Sequence, residues 1–110
     1  MSYQHESLAA GRWRQLAFLE QMANVASEVE RALTWRGKHH QTYAVRACER
    51  ALELLDLTLA GATTPARLRE LARVREALVD FFFGTNSYAS TEASWRTYFS
   101  AFTYAARRTH

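Results

Sequence analysis

Apolar residues recur through the first third of the chain at the spacing of one helix face. The stripe consists of Leu16, Leu19, Met22, Ala23, Ala26, Val29 and Leu33. No proline breaks this stretch, and no glycine occurs between Gly11 and Gly37. The period predicts an amphipathic first helix that begins near residue 8 or residue 12 and ends near residue 36. Glu30 is the charged residue that falls inside the stripe.

Three further apolar stripes predict three more helices. Gly37 is expected to end the first helix in a left-handed conformation, and a second helix is predicted over 40–60. Thr64 before Pro65 predicts the start of a third helix over 65–83, because a threonine hydroxyl caps a first turn and proline suits the first helical position. A fourth helix is predicted over 91–107. Arg75 is the charged residue close to the centre of the third stripe.

Long helices with short connections predict an all-α fold. The chain of 110 residues fits a single domain, 1–110, in which 1–10 and 108–110 are expected to be frayed ends. The chain contains no isoleucine, which argues against a sheet. Short connections favour antiparallel neighbours, so we expect an antiparallel up-down-up-down four-helix bundle with a long first helix.

The two charged residues inside the stripes are expected to meet each other. In this topology the first and third helices point the same way, and Glu30 and Arg75 lie at similar heights below one end. An unpaired buried charge costs several kcal/mol, so the sequence predicts a buried ion pair between them, with the Tyr98 hydroxyl as a possible third member. Such a group serves either as a structural pair that fixes helix register or as a small polar pocket.

Aromatic residues on the outer side of the first helix exceed what a four-helix core needs. These are Trp13, Phe18 and Trp35. Exposed aromatics of this size are typical of interfaces, so we expect a homodimer or a protein partner to cover them.

The basic residues suggest a second kind of partner. The net charge is +3, carried by thirteen arginines and a single lysine, Lys38. An antiparallel bundle collects six of the arginines at one end: Arg12, Arg14, Arg67, Arg69, Arg107 and Arg108. Helix N-termini at that end add partial positive charge. This end is a candidate site for nucleic-acid phosphate, although a solvated rim is the alternative interpretation.

Motifs for catalysis, cofactors and metals are missing from the sequence. It has no glycine-rich phosphate loop, no nucleophile elbow and no Glu-x-x-His pair, so we expect a non-enzymatic protein without cofactor or metal. The single Cys48 excludes an internal disulfide and is expected to be buried and inert. The first residues lack a signal-peptide pattern, and no stretch approaches the roughly 20 apolar residues of a membrane span, which predicts a cytoplasmic protein.

Three segments carry a family resemblance, which covers about Gly11 to Arg107: GRWRQLAFLEQMANVASEVERALTW, ERALELLDLTLA and REALVDFFFG. They resemble a family of short, uncharacterised bacterial and archaeal proteins. The resemblance implies the same all-helical fold and brings no activity or site residue with it. The sequence thus favours self-association or partner-protein binding, with anion binding at the arginine-rich end and a small-ligand pocket as alternatives.

Overall fold

The computed structural model describes residue 13 and residues 16–108. The described helices are α1 (Phe18–Gly37), α2 (Gln41–Ala60), α3 (Pro65–Phe83) and α4 (Glu92–Arg108). Within these residues the fold is the predicted all-α, up-down-up-down bundle. The predicted frayed segment 1–10 and the last two residues lie outside the described residues, while Arg108 belongs to α4.

The start of α3 confirms the sequence prediction. Thr64 is the N-cap, and its hydroxyl accepts a hydrogen bond from the backbone N–H of Arg67 at 3.2 Å. Pro65 occupies the first helical position, where its missing N–H costs nothing. Both bounds of α3 match the predicted range.

The start of α1 differs from the prediction. The helix begins at Phe18, later than either predicted start, and it has the same length of 20 residues as α2. Ala17 is extended, with φ −63° and ψ 152°. The chain turns before it, because the carbonyl of Trp13 accepts from the N–H of Leu16 at 3.2 Å and from the side-chain amide of Gln21 at 2.7 Å. The two bonds connect Trp13 to Leu16 and to the first turn of α1.

The end of α1 also differs in one detail. Gly37 was expected to adopt a left-handed conformation, but it lies within the helix, and no described glycine has a positive φ. The left-handed residue is His39, at φ 62°. A β-carbon is accommodated poorly there, so the α1–α2 connection carries local backbone strain.

Packing is uneven around the bundle. α1 packs along both α2 and α4, and α2 packs along α3, whereas the backbones of α3 and α4 stay apart over most of their length. The main core includes fully buried Met22, Leu55, Leu71 and Leu78. The α1–α2 hairpin is therefore the centre of the fold, with α3 and α4 on its two sides.

Small side chains allow α1 and α2 to approach closely. Ala32 on α1 and Ala47 and Cys48 on α2 form a separate buried cluster beside the main core. Each of the three is almost completely inaccessible to solvent. Because no larger side chain separates the two helices here, the contact depends on the small size of these residues.

The connection between α3 and α4 is built around Asp80. Its carboxylate accepts from the backbone N–H groups of Ser87 and Tyr88 at 2.9 and 3.0 Å. Its carbonyl accepts from the N–H of Gly84 at 3.0 Å and of Asn86 at 3.2 Å. A β-carbon at Gly84 would lie 3.0 Å from that carbonyl oxygen, so glycine allows the close approach. The connection is thus tied firmly to the end of α3.

Candidate functional site

The predicted Glu30–Arg75 pair does not form among the described residues. Glu30 is exposed, and Arg96 of α4 binds both of its carboxylate oxygens with Nε and Nη2 at 3.0 to 3.1 Å. The hydrogen bond from Arg96 lowers the pKa of the Glu30 carboxyl below its ordinary value. Glu30 therefore bridges α1 to its neighbour α4 at the surface.

The other two members of the predicted group also bind neighbouring helices. Arg75 donates to both carboxylate oxygens of Asp56 on α2, at 2.6 and 3.2 Å. The Tyr98 hydroxyl donates to Glu70 on α3 at 2.9 Å. Burial, followed by this bond to a carboxylate, raises the pKa of the Tyr98 hydroxyl.

The reason for this correction is the bundle geometry. α1 and α3 are diagonal, so a pair between them would have to cross the apolar centre, where charges lose their hydration. Pairs between adjacent helices form at the edge of the core and stay in contact with water. Together with the Arg50–Glu28 pair at 3.0 Å, which joins α1 and α2, one polar bridge lies at each of the four edges between neighbouring helices.

The three aromatic residues predicted as an interface lie in different surroundings. Trp13 is 7% exposed and belongs to the core, where its indole N–H donates to the Thr58 hydroxyl at 3.1 Å. Phe18 is partly buried and contacts the ring of Phe102, with ring centroids 5.9 Å apart. Trp35 is half-buried at the opposite end of α1. The structure therefore does not bring the three together into one outer face.

The separation of α3 from α4 leaves an open groove of about 560 Å³. We call it the α3–α4 groove. Its lining consists of Ala66, Arg69, Glu70, Arg73, Val74 and Ala77 from α3, Tyr88 and Ser90 from the connection, and Ser94, Trp95 and Tyr98 from α4. The volume is within the range of about 300–1,000 Å³ that is common for ligand sites.

Trp95 is the unusual residue of this groove. It is 6% exposed, and it also lines a second groove of about 600 Å³ between α1 and α4. Among the residues that the structure describes, no atom accepts a hydrogen bond from its buried indole N–H. A buried donor without a partner costs about 1–3 kcal/mol, so such a group is rare unless something else binds it.

Arginine residues flank the α3–α4 groove without carboxylate partners. Arg69 and Arg73 both line it, and neither forms an ion pair within residues 16–108. Glu70 accepts from Tyr98 and Glu76 accepts from the Tyr88 hydroxyl at 2.8 Å; both carboxylates keep their charge, but of the two only Glu70 lines the groove, against two arginines. The edge of the groove therefore has positive charge available for a partner.

Sequence reasoning missed this site. Neither Trp95 nor Arg73 was selected as a site residue. A signal was present in the spacing of Arg69 and Arg73, which are four residues apart on one helix face. Like charges at this spacing repel each other and destabilise an isolated helix. Their occurrence together therefore indicates a role in binding rather than in helix stability.

The predicted arginine-rich end is divided among several surfaces. Its members are Arg12, Arg14, Arg67, Arg69, Arg107 and Arg108, of which the first two lie outside the described residues. Arg67 lies 3.7 Å from the ring centroid of Phe18, and Arg69 lines the α3–α4 groove. Arg107 lines the groove between α1 and α4, while Arg108 lies over an aromatic ring of its own helix. The described four thus contact different rings or line different grooves, and anion binding at this end stays a prediction.

Cys48 is enclosed between α1 and α2. Burial, followed by the charge of Glu49, raises the pKa of its thiol to about 12. Because the thiolate is the reactive form, the thiol has neither the ionisation nor the access that a nucleophile needs.

We expect Cys48 to resist a thiol reagent such as Ellman's reagent at neutral pH in the folded protein. The colour reaction should be slow under native conditions and complete within the mixing time in concentrated guanidinium chloride, where the side chain is exposed. Stoichiometric labelling of the folded protein within seconds would contradict the burial of this residue.

Two further observations on the described residues concern metal binding and membrane spanning. Over residue 13 and residues 16–108, no group of three His, Cys, Asp or Glu side chains is placed to hold a metal ion. None of the four described helices combines the length and the apolar character that crossing a bilayer requires.

The groove is therefore an apolar, positively edged site, and one of its lining residues, Trp95, has a buried indole N–H without an acceptor among the described residues. It offers shape and charge for binding, and the residues that line it include no paired nucleophile and base. Comparisons with protein families, with curated proteins and with solved structures find no match to this chain.

Proposed function

We propose that the protein is a non-enzymatic binding module whose α3–α4 groove takes an acidic amphipathic helix of a partner protein. The observation that carries this proposal is the buried indole N–H of Trp95, a residue that lines the groove; this N–H has no acceptor among the described residues. Arg69 and Arg73 add unpaired positive charge along the same groove. An apolar helix face with acidic neighbours complements both features.

The dimensions of the groove support a helix as the occupant. Along α3 the lining extends from Ala66 to Ala77, which corresponds to about 16 Å at about 1.5 Å per residue. A partner helix of about three turns matches this length. Small side chains at Ala66, Ala77 and Ser94 let a helix backbone come close, and the apolar strip is continued by Val74.

The types of residue in the groove also support a protein partner. Tryptophan, tyrosine and arginine supply most of the binding energy at protein interfaces, and the groove contains Trp95, Tyr88, Tyr98 and two arginines. A partner side chain that accepts from the Trp95 N–H would remove the cost of the unpaired donor. The free protein therefore retains a penalty that binding relieves.

The charge of the groove indicates an acidic helix. The lining contains two arginines, Arg69 and Arg73, and one carboxylate, Glu70, so positive charge predominates. Complementary charges speed association and exclude partners of the wrong sign. A basic helix would bring its charges against both arginines.

The test uses two synthetic helical peptides of about 18 residues that share one leucine stripe. One has glutamate on its polar face and the other has lysine. Calorimetric titration at low salt should show binding of the acidic peptide only. Arg73→Glu should weaken that binding by about tenfold or more through charge reversal. The control is Arg31→Glu, which makes the same charge change on the exposed side of α1, where Arg31 pairs with Glu28.

A second readout locates the peptide. In an NMR spectrum of the labelled protein, the indole N–H signal of Trp95, assigned with Trp95→Phe, should shift on addition of the acidic peptide. The indole signals of Trp13 and Trp35 should stay in place, because both lie outside the groove. Equal binding of the two peptides, or equal loss of affinity in Arg31→Glu and Arg73→Glu, would contradict the proposal.

A further inference from the structure

The α1–α2 connection carries an ordered group of rings that the groove does not use. The ring centroid of Trp35 lies 4.9 Å from that of Tyr43 and 5.2 Å from that of His40. The rings of His40 and Tyr43 are 5.9 Å apart. Lys38 Nζ lies 5.5 Å from the Trp35 ring. We call Trp35, His40 and Tyr43 the Trp35 platform.

The platform presents an aromatic surface to solvent. Tyr43 is 48% exposed although Trp35 and His40 support its ring. An open cavity of about 500 Å³ adjoins it, lined by His39, His40, Gln41, Thr42, Tyr43 and Arg46. The supporting rings hold Tyr43 in place, so a flat molecule that stacks on it meets a side chain that is already ordered.

Positive charge predominates at the platform, although Glu49 follows Arg46 by three residues on α2. From Arg31 to Cys48 the chain contains no aspartate or glutamate. Neither Lys38 nor Arg46 forms an ion pair within the described part of the chain. Arg36 lies 4.2 Å from the ring centroid of Phe81 and forms no ion pair among the described residues. This end of the bundle therefore combines an exposed ring with several unpaired cations.

We propose that the Trp35 platform binds single-stranded nucleic acid. An unpaired base stacks on Tyr43, and Lys38 and Arg46 contact the adjoining phosphates. Stacking combined with phosphate contacts is the arrangement by which proteins hold single strands with little sequence preference. The bases of a duplex are stacked inside the double helix and cannot stack on Tyr43. An acidic peptide would contact the cations but would not require the exposed ring. A single strand therefore uses both features of this surface.

This site is separate from the α3–α4 groove, because it is formed by the end of α1 and the start of α2. It also lies at the end of the bundle opposite to Arg67 and Arg108, where the sequence predicted anion binding. The two proposals can therefore succeed or fail independently.

The experiment measures fluorescence anisotropy of labelled oligonucleotides of about 15 nucleotides with the full chain. One is oligodeoxythymidylate and the other oligouridylate, which distinguishes DNA from RNA. Tyr43→Ala should weaken binding by about fivefold or more, since it removes the stacking surface, while Tyr43→Phe should retain most of it. Arg46→Glu should also weaken binding. Arg108→Glu, at the opposite end, makes the same charge change and should have little effect.

Salt and competitors separate the possible occupants. Affinity for the single strand should fall linearly with salt on logarithmic scales, as counterion release requires. A duplex of equal length and polyglutamate should compete weakly. Stronger binding of the duplex, equal competition by polyglutamate, no measurable binding of either oligonucleotide at low salt, or unchanged affinity in Tyr43→Ala would each overturn the proposal. Circular dichroism of each variant verifies that the fold is intact.

Discussion

Replacement of Trp13 by alanine is expected to reduce the free energy of unfolding by about 3–5 kcal/mol. The indole belongs to the main core, and its N–H donates to the Thr58 hydroxyl. Truncation leaves a large cavity and removes that bond. The Trp13 carbonyl also holds Gln21, so the segment before α1 is joined to the bundle at two points. Urea denaturation followed by circular dichroism measures the loss.

Trp35→Ala is the matched comparison for this prediction. It removes the same type of side chain near the C-terminal end of α1, where the ring is only half-buried. It should therefore lower the free energy of unfolding clearly less than Trp13→Ala does. The sequence alone assigned both tryptophans to an interface. If Trp13→Ala left the free energy of unfolding unchanged and instead dissociated a dimer in light scattering, the interface interpretation would be right and the core position wrong.

The second large effect is expected from Ala47→Leu. Ala47 packs with Cys48 and Ala32 in the small buried cluster between α1 and α2, and it is completely buried. A leucine adds three carbon atoms without space for them, so the helices must separate or the side chain must adopt a strained rotamer. Such overpacking typically costs about 1–3 kcal/mol, and a fixed helix-helix contact places this case at the upper end.

Thermal and urea unfolding of Ala47→Leu measure this loss. Ala60→Leu is the control, because Ala60 is exposed at the last position of the same helix and alanine and leucine have similar helix propensities. It should alter the free energy of unfolding by less than about 0.5 kcal/mol. Similar losses for the two variants would mean that small size at Ala47 does not control the α1–α2 contact.

Local signals in the sequence were sufficient to predict the helices and their order along the chain. Thr64 and Pro65 act within one turn, so the start of α3 follows from neighbouring residues alone. The spacing of apolar residues identified the buried face of each helix, because residues one helical repeat apart lie on the same face. It did not predict that Trp13 is buried, because its indole bonds to Thr58, a residue 45 positions away. No short-range pattern contains such a contact.

The spacing of apolar residues does not determine which charged residues form ion pairs. Each residue of a helix advances by about 100°, so the stripe places Glu30 near the core without deciding on which side of it the carboxylate lies. That side determines whether the partner is on α2, α4 or the diagonal α3. Arg96 was available on α4, and water at the edge of the core made this pairing less costly than a buried one.

The candidate groove was beyond sequence reasoning for a related reason. A bundle with four equal contacts between neighbours has no groove, and the spacing of apolar residues does not show that α3 and α4 diverge. Trp95 looked like a core residue and is one by burial. Only its unpaired N–H, visible in three dimensions, distinguishes it from Phe99 beside it.

The Asp80 connection determines how the α3–α4 groove can widen. Four backbone N–H groups bind Asp80 and hold the connection against the end of α3. Farther along the groove, the Tyr98 hydroxyl on α4 donates to Glu70 on α3. The two helices are therefore anchored firmly at the Asp80 connection and more weakly at this hydrogen bond. A partner that enters away from the connection can separate the helices there once this bond breaks, while α1 and α2 remain in contact.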